Sequence, residues 1–74
     1  MAVELKETRK VAVITWDMEL VKGAEASLEV ENEEKRTVKN DGESNLFFPG
    51  DFHGPVTVTV HGSHAGTDSG TIEV

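Results

Sequence analysis

Residues 56–60 read Val-Thr-Val-Thr-Val, and this stretch gives the clearest indication of the fold. The three valines share one parity and the two threonines share the other, so an extended backbone turns every valine to the same face. β-Branched side chains also fit a pleated backbone better than a helix. The stretch therefore predicts a strand with one buried face and one exposed face.

The same alternation recurs on both sides of this strand, in residues 24–30, 43–48 and 67–74. Residues 35–39 predict a short charged strand at a sheet edge, where lysines discourage pairing with other chains. Turn signals separate the segments, and the strongest, Asp41-Gly42, predicts a type I′ hairpin. Six or seven short strands at this spacing predict an all-β sandwich or small barrel.

Residues 10–20 allow two interpretations. The even-numbered residues from 12 to 20 are all apolar, which predicts a strand, whereas residues 11, 14, 18 and 21 fall at helical spacing. The β-branched run at 11–15 favours the strand. Because eleven residues make a long strand for a small domain, we expect a bend or a second short strand near Asp17.

The predicted core collects the inward-facing apolar side chains of these segments, with Phe52 as an anchor at its rim. It comprises Ile14, Trp16, Met18, Leu20, Leu28, Val30, Leu46, Phe48, Val56, Val58, Val60, Ile72 and Val74. We expect these residues to form one domain over 10–74, preceded by a flexible N-terminal arm at 1–9. The N-terminal residues lack the pattern of a secretory signal, and the longest apolar run, at 11–14, is too short to span a membrane.

The net charge of the chain and its distribution limit the kinds of molecule that we expect the chain to bind. The chain of 74 residues carries a net charge of −7, and all seven Lys and Arg lie between Lys6 and Lys39. Residues 40–74 hold five acids and no base, so this half of the chain would repel the phosphates of nucleic acids and of anionic membranes. We therefore expect neither nucleic acid nor membrane as a partner. The absence of cysteine excludes disulfides and thiolate metal sites.

Three histidines raise the possibility of a metal site. His53, His61 and His64 could bind zinc together with Asp68, but a His-x-x-His spacing at a strand end does not place both rings on one face as a helix does. Loop carboxylates could bind calcium, yet no segment has the spacing of an EF-hand. Exposed loop histidines are the simpler interpretation, and we expect neither a metal nor another cofactor.

Enzymatic and sugar-binding functions find little support in the sequence. None of the serines lies in a Gly-x-Ser-x-Gly context, and a sandwich of this size is not expected to hold a deep pocket. Sugar-binding sandwiches use exposed Trp or Tyr, whereas the chain has no Tyr and its one Trp has core parity. The sequence predicts a protein that is not an enzyme.

Phe47 is the residue that the core pattern leaves unexplained. It has the opposite parity to Leu46 and Phe48, so it predicts a large apolar side chain on an outer face, which is typical of a partner interface. Val11 and Val13 have outward parity on the first strand and could join it. With Phe52 and His53 from the following loop, these residues form the predicted interface; the alternative is that the domain itself covers them.

The second half of the chain resembles small immunoglobulin-like modules. The resemblance lies in residues 41–44, 46–49, 52–54, 56–63 and 68–74, and residues 23–30 look like the entry into a second strand of such a module. The ending at 62–74, with Asp68-Ser69-Gly70-Thr71-Ile72, is most similar to short Ig-like proteins of tailed bacteriophages. The chain lacks the cysteine pair and the tyrosine corner of antibody-type domains.

This resemblance implies an antiparallel Ig-like β-sandwich that works through its surfaces and has no catalytic residues. It implies a virion accessory or decoration protein, made in a host cytoplasm, that docks on capsid or tail subunits. A homo-oligomer is a further possibility. The alternatives from other classes are a small metal- or ligand-binding domain that uses the loop histidines, and an acidic inhibitor protein.

Overall fold

The computed structural model describes residues 1–5, 11–31, 33–49 and 51–74. Within these ranges the chain forms strands, turns and loops and no helix, so the all-β prediction is confirmed. The seven strands are β1 (Ala2–Leu5), β2 (Val11–Thr15), β3 (Glu25–Val30), β4 (Arg36–Lys39), β5 (Glu43–Phe47), β6 (Pro55–Gly62) and β7 (Thr67–Glu73).

The strands form two antiparallel sheets, one with the order β1-β2-β5 and one with the order β4-β3-β6-β7. β2 and β5 pair in one sheet, and β3, β6 and β7 are neighbours in the other. These neighbours match the A-B-E and C-F-G strands of an Ig-like sandwich, with β4 as an added strand beside β3. The predicted Ig-like sandwich is confirmed, and β4 lies at a sheet edge as its charges predicted.

The inward faces of the two sheets share one core. Ile14 of β2, Leu28 of β3 and Val58 and Val60 of β6 are almost completely buried. Burial of each such side chain contributes about 1.5–3 kcal/mol before the loss of conformational entropy is subtracted. The alternation that predicted these strands therefore also selects the residues that hold the two sheets together.

The predicted bend near Asp17 is confirmed, and β2 ends before it, at Thr15. Asp17 stops β2 because its carboxylate accepts a hydrogen bond from the Glu19 N–H (2.8 Å) and its carbonyl accepts one from the Val21 N–H (3.1 Å). The chain turns here, which leaves Met18 and Leu20 46% and 51% exposed. Their assignment to the core was wrong, and Val21, at 1% exposure, is buried beyond the turn.

The Asp41-Gly42 turn has the expected backbone but a different role. Gly42 has a φ of +88°, yet the turn connects β4 to β5, which belong to different sheets. The predicted hairpin is therefore wrong. The turn instead crosses the sandwich, where the Gly42 carbonyl accepts a hydrogen bond from the Trp16 N–H (3.0 Å).

The predicted N-terminal arm is wrong for its first residues. Ala2–Leu5 form β1, which pairs with β2 in the register Val3 to Ile14 and Leu5 to Ala12. The side chains of Val3 and Leu5 pack against the core, and this apolar contact gives the segment its place. The rest of the arm, residues 6–9, lies outside the described residues, as does Lys10.

Candidate binding surface

The predicted interface residues of β2 and β5 lie on the outer face of the three-stranded sheet. Val11 is paired with Phe47, and Val13, two residues along the strand, is paired with Asn45. The phenylalanine is 72% exposed, whereas both valines are half-buried. Directly opposed side chains on one face are close enough to touch, so Val11 and Phe47 form a continuous apolar strip.

Phe47 also forms part of a pocket at the end of the sandwich where β3 and β5 finish and β6 begins. We call this region the Phe48 end. The pocket has a volume of about 300 Å³ and is lined by Val30, Glu31, Glu33, Phe47, Phe48, Pro49, Phe52, Pro55 and Val56. Val30 and Val56 are buried in the core, while both glutamates are exposed. The pocket is therefore apolar with an acidic side.

Local contacts give the pocket its shape. The rings of Phe48 and Phe52 stack with their centroids 5.7 Å apart and their planes at 16°. The Phe52 N–H donates to the Pro49 carbonyl (3.0 Å), which folds the loop back toward β5. Offset stacking of this kind adds about 0.5–1.5 kcal/mol to the burial of the rings. Phe52, 37% exposed, therefore stands at the rim of the core as predicted.

The acidic side of the pocket is held by backbone hydrogen bonds. The Glu31 N–H donates to the Thr57 carbonyl (3.1 Å), and the Glu33 N–H donates to the Val30 carbonyl (3.0 Å). These bonds keep the backbone after β3 against β6 and turn it beside the pocket. The loop that follows Phe52 is closed by Gly54 and Val74, whose N–H groups each donate to the other's carbonyl.

The structure brings together part of the predicted interface. Phe47 and Phe52 both line the pocket, and Val11 adjoins Phe47. Val13 lies two residue pairs further from the pocket, and His53 is exposed on the loop without lining the pocket. Glu31 and Glu33 were not among the predicted site residues. No local pattern indicates them, because only the pairing of β3 with β6 places them beside Phe52.

The histidines do not gather at one place. His61 lies near the end of β6 and its Nε2 is 2.9 Å from the Glu29 Oε1, whereas His53 precedes the start of the same strand. A strand rises about 3.3 Å per residue, so roughly 20 Å separates Pro55 from His61. The hydrogen bond from His61, followed by the charge of Lys35, lowers the pKa of Glu29. Among the described residues no three His, Asp or Glu side chains are placed to share a metal ion.

A polar network occupies the opposite end of the sandwich, which we call the Trp16 end. Asn40 is 8% exposed; its Oδ1 accepts from the Trp16 Nε1 (2.8 Å), and its Nδ2 donates to the carbonyls of Val21 (3.0 Å) and Gly23 (2.8 Å). One side chain thus joins the loop after β2 to the turn after β4. In the described ranges every buried side-chain nitrogen and oxygen has a hydrogen-bond partner.

Asp68 adds a charged contact at the same end. Its carboxylate accepts hydrogen bonds from the Met1 amino terminus and from the Asp17 N–H, both at 3.2 Å. Partial burial acts to raise the pKa of Asp68, but the Asp17 N–H and the amino terminus outweigh this effect and hold the pKa below its ordinary value. The contact ties β7 to the turn that ends β2.

The described residues contain no helix of the length and apolar character needed to cross a membrane. No protein-family model, curated protein or solved structure matches this chain. The candidate site is therefore defined by its geometry alone. It consists of an exposed phenylalanine beside a small apolar pocket that has two glutamates on one side.

Proposed function

We propose that this chain is a non-enzymatic module that binds another protein through its Phe48 end. In its most specific form the proposal is an accessory protein of a tailed-phage virion that docks on capsid or tail subunits. The Ig-like sandwich supports the general form, because such modules act through strands and loops on their surface. The likeness of residues 62–74 to short Ig-like phage proteins motivates the specific form.

The observation that carries the proposal is the exposure of Phe47. A side chain of this size that is 72% exposed, next to Val11 and to an apolar pocket, leaves apolar area in water. Full burial of a phenylalanine side chain against a partner is worth about 1.5–3 kcal/mol. Aromatic anchors of this kind dominate the energy of many protein interfaces.

A repetitive lattice makes such a modest contact sufficient. One copy that buries Phe47 and fills its pocket would bind a single partner weakly, because association costs translational and rotational freedom. A second contact from the same copy, or from a neighbouring copy, acts at high effective concentration and raises the overall affinity without new chemistry. The small size of the domain is compatible with close packing of copies on a shell.

The test is the protein content of purified virions. Particles of the phage or prophage that encodes this chain are purified by density gradient, and the chain is quantified by mass spectrometry against the major capsid protein. We expect a fixed ratio of the chain to one structural subunit across preparations. Absence of the chain from particles made while it is expressed in the host would contradict the virion proposal.

A further inference from the structure

We propose that the pocket at the Phe48 end receives an arginine side chain, presented by an extended segment of the protein partner that pairs with the free edge of β5. This inference rests on the proposed function, because it names the chemistry of the partner at the same site. Three features of the molecule support it: the backbone edge of β5, the lining of the pocket and the charges around both.

The edge of β5 offers backbone hydrogen bonds. In the described part of the chain β5 pairs with β2 and with no other strand. The Trp16 N–H donates to the Gly42 carbonyl, and the alternation of an antiparallel ladder then directs the N–H and C=O groups of Glu43, Asn45 and Phe47 away from β2. The Asp41 Oδ1 accepts from the Glu43 N–H (3.3 Å), so a new strand would pair with Asn45 and Phe47. An extended peptide can add to such an edge as a new strand.

The pocket lies where this edge ends, so a strand added to β5 would bring a side chain to it. Phe47 belongs to both features, as the last residue of β5 and as part of the pocket lining. A volume of about 300 Å³ is at the lower limit for small-molecule sites and is suited to a single long side chain. In β-strand addition the backbone bonds give affinity and such pockets give specificity.

The lining of the pocket matches the two parts of an arginine. Phe47, Phe52 and Pro49 offer apolar contact to the methylene stem, and the Phe47 ring, largely exposed, can attract a planar cation. Glu31 and Glu33 stand on one side of the same pocket and can accept hydrogen bonds from the guanidinium. Lysine carries the charge but lacks the planar fork and the stacking surface.

The surrounding charges favour binding of a basic segment at the edge of β5 over binding at the edge of β4. A shallow depression of about 420 Å³ continues from the pocket across β3 and β6 and is lined by Glu29, Glu31 and Glu33 with Val30, Thr57 and Thr59. The edge strand β4 carries Arg36 and Lys39, which would repel a basic segment, whereas β5 carries Glu43 as its one charge. The net charge of −7 adds long-range attraction.

The test uses capped seven-residue peptides of alternating Thr and Val, with Arg, norleucine or Glu at the centre. Each is titrated to millimolar concentration into the ¹⁵N-labelled full chain, and amide shifts are followed by NMR. We expect the arginine peptide to shift β5 amides and those of Glu31 and Phe48, with about fivefold tighter binding than the norleucine peptide and no binding of the Glu peptide.

Variants assign the charge preference to the pocket. The double change Glu31→Gln with Glu33→Gln should remove the advantage of arginine over norleucine, while the matched change Glu19→Gln at the Trp16 end should preserve it. Equal binding of the arginine and norleucine peptides to the unaltered chain, or shifts confined to β4, would overturn the inference. Virions that contain the chain and take up the double variant at the same ratio would also overturn it while leaving the proposed function intact.

Discussion

The two ends of the sandwich are closed in different ways. At the Trp16 end a buried asparagine and a half-buried aspartate form hydrogen bonds with the backbone of the segment between β2 and β3, and the asparagine also accepts one from the Trp16 indole. At the Phe48 end aromatic rings and prolines surround a pocket that stays open to solvent. Hydrogen-bonding groups at the first end find their partners within the chain, whereas the apolar lining of the pocket at the second end is left partly open to solvent.

This difference suggests that one end of the sandwich stabilises the fold and that the other end is suited to binding. Interactions that specify one conformation are concentrated at the Trp16 end, where a lost partner would leave a buried group unsatisfied. The Phe48 end can therefore expose apolar surface, because the fold does not depend on covering it. Changes at the first end should chiefly affect stability, and changes at the second should chiefly affect binding.

The largest contrast is expected between two glycines with positive φ. Gly66 at the Trp16 end has a φ of +87°, and a Cβ there would overlap the Leu20 carbonyl, whereas Gly54 at the Phe48 end has a φ of +133° with no atom within 4 Å of an added Cβ. Gly66→Ala should cost about 4 kcal/mol or more, and Gly54→Ala about 1–2 kcal/mol of backbone strain. Urea unfolding measures both, and equal losses would mean that the ends are packed alike.

The next contrast compares two asparagines. Asn40→Ala removes three hydrogen bonds and leaves the Trp16 indole N–H and two carbonyls without their partner, which we expect to lower the free energy of unfolding by about 3 kcal/mol. Asn45→Ala, on the exposed face of β5, should change it by less than about 0.5 kcal/mol. Thermal and urea unfolding of the pair tests this, and a loss below about 1 kcal/mol for Asn40→Ala would contradict the role given to the network.

The smallest expected effect is a dependence on pH. Because the pKa of Asp68 is lower in the folded chain than its ordinary value of 3.8, the ionised carboxylate stabilises the fold above that value, and this contribution is lost as the pH falls through the folded pKa. Asp68→Asn should therefore be less stable than the unaltered chain at neutral pH and should show a shallower decline below pH about 4. Asp51→Asn, exposed at the other end, is the control. Parallel declines in Asp68→Asn and the unaltered chain would refute this role.

The sequence predicted the parts of the fold that depend on local alternation of apolar and polar side chains. The strands over residues 24–30 and 56–60 and their buried members, such as Leu28 and Val58, follow from a period of two. It also predicted a bend near Asp17, but it failed to predict which side chains that bend exposes. The carboxylate of Asp17 ends β2 and exposes Met18 and Leu20, although their parity indicated burial.

Features that depend on the pairing of distant segments could not be predicted from the sequence either. β1 is too short for its alternation of apolar and polar residues to be recognised in the sequence. Its position in the sheet is determined by pairing with β2 and by contact with the core. Phe47 could be recognised from its parity, and Phe52 from its position in a loop of prolines and glycines. Glu31 and Glu33 could not, because their proximity to these rings depends on the register of β3 against β6.

The most direct test of the account compares two exposed apolar residues at opposite ends. Phe47→Asp and Leu20→Asp place the same charge at sites that are 72% and 51% exposed, so both variants should fold with little loss of stability. Each is expressed during particle assembly, and its ratio to the major capsid protein in purified virions is measured by mass spectrometry. The account predicts at least a tenfold loss for Phe47→Asp and the unaltered ratio for Leu20→Asp. Equal incorporation of both, or a loss confined to Leu20→Asp, would contradict it.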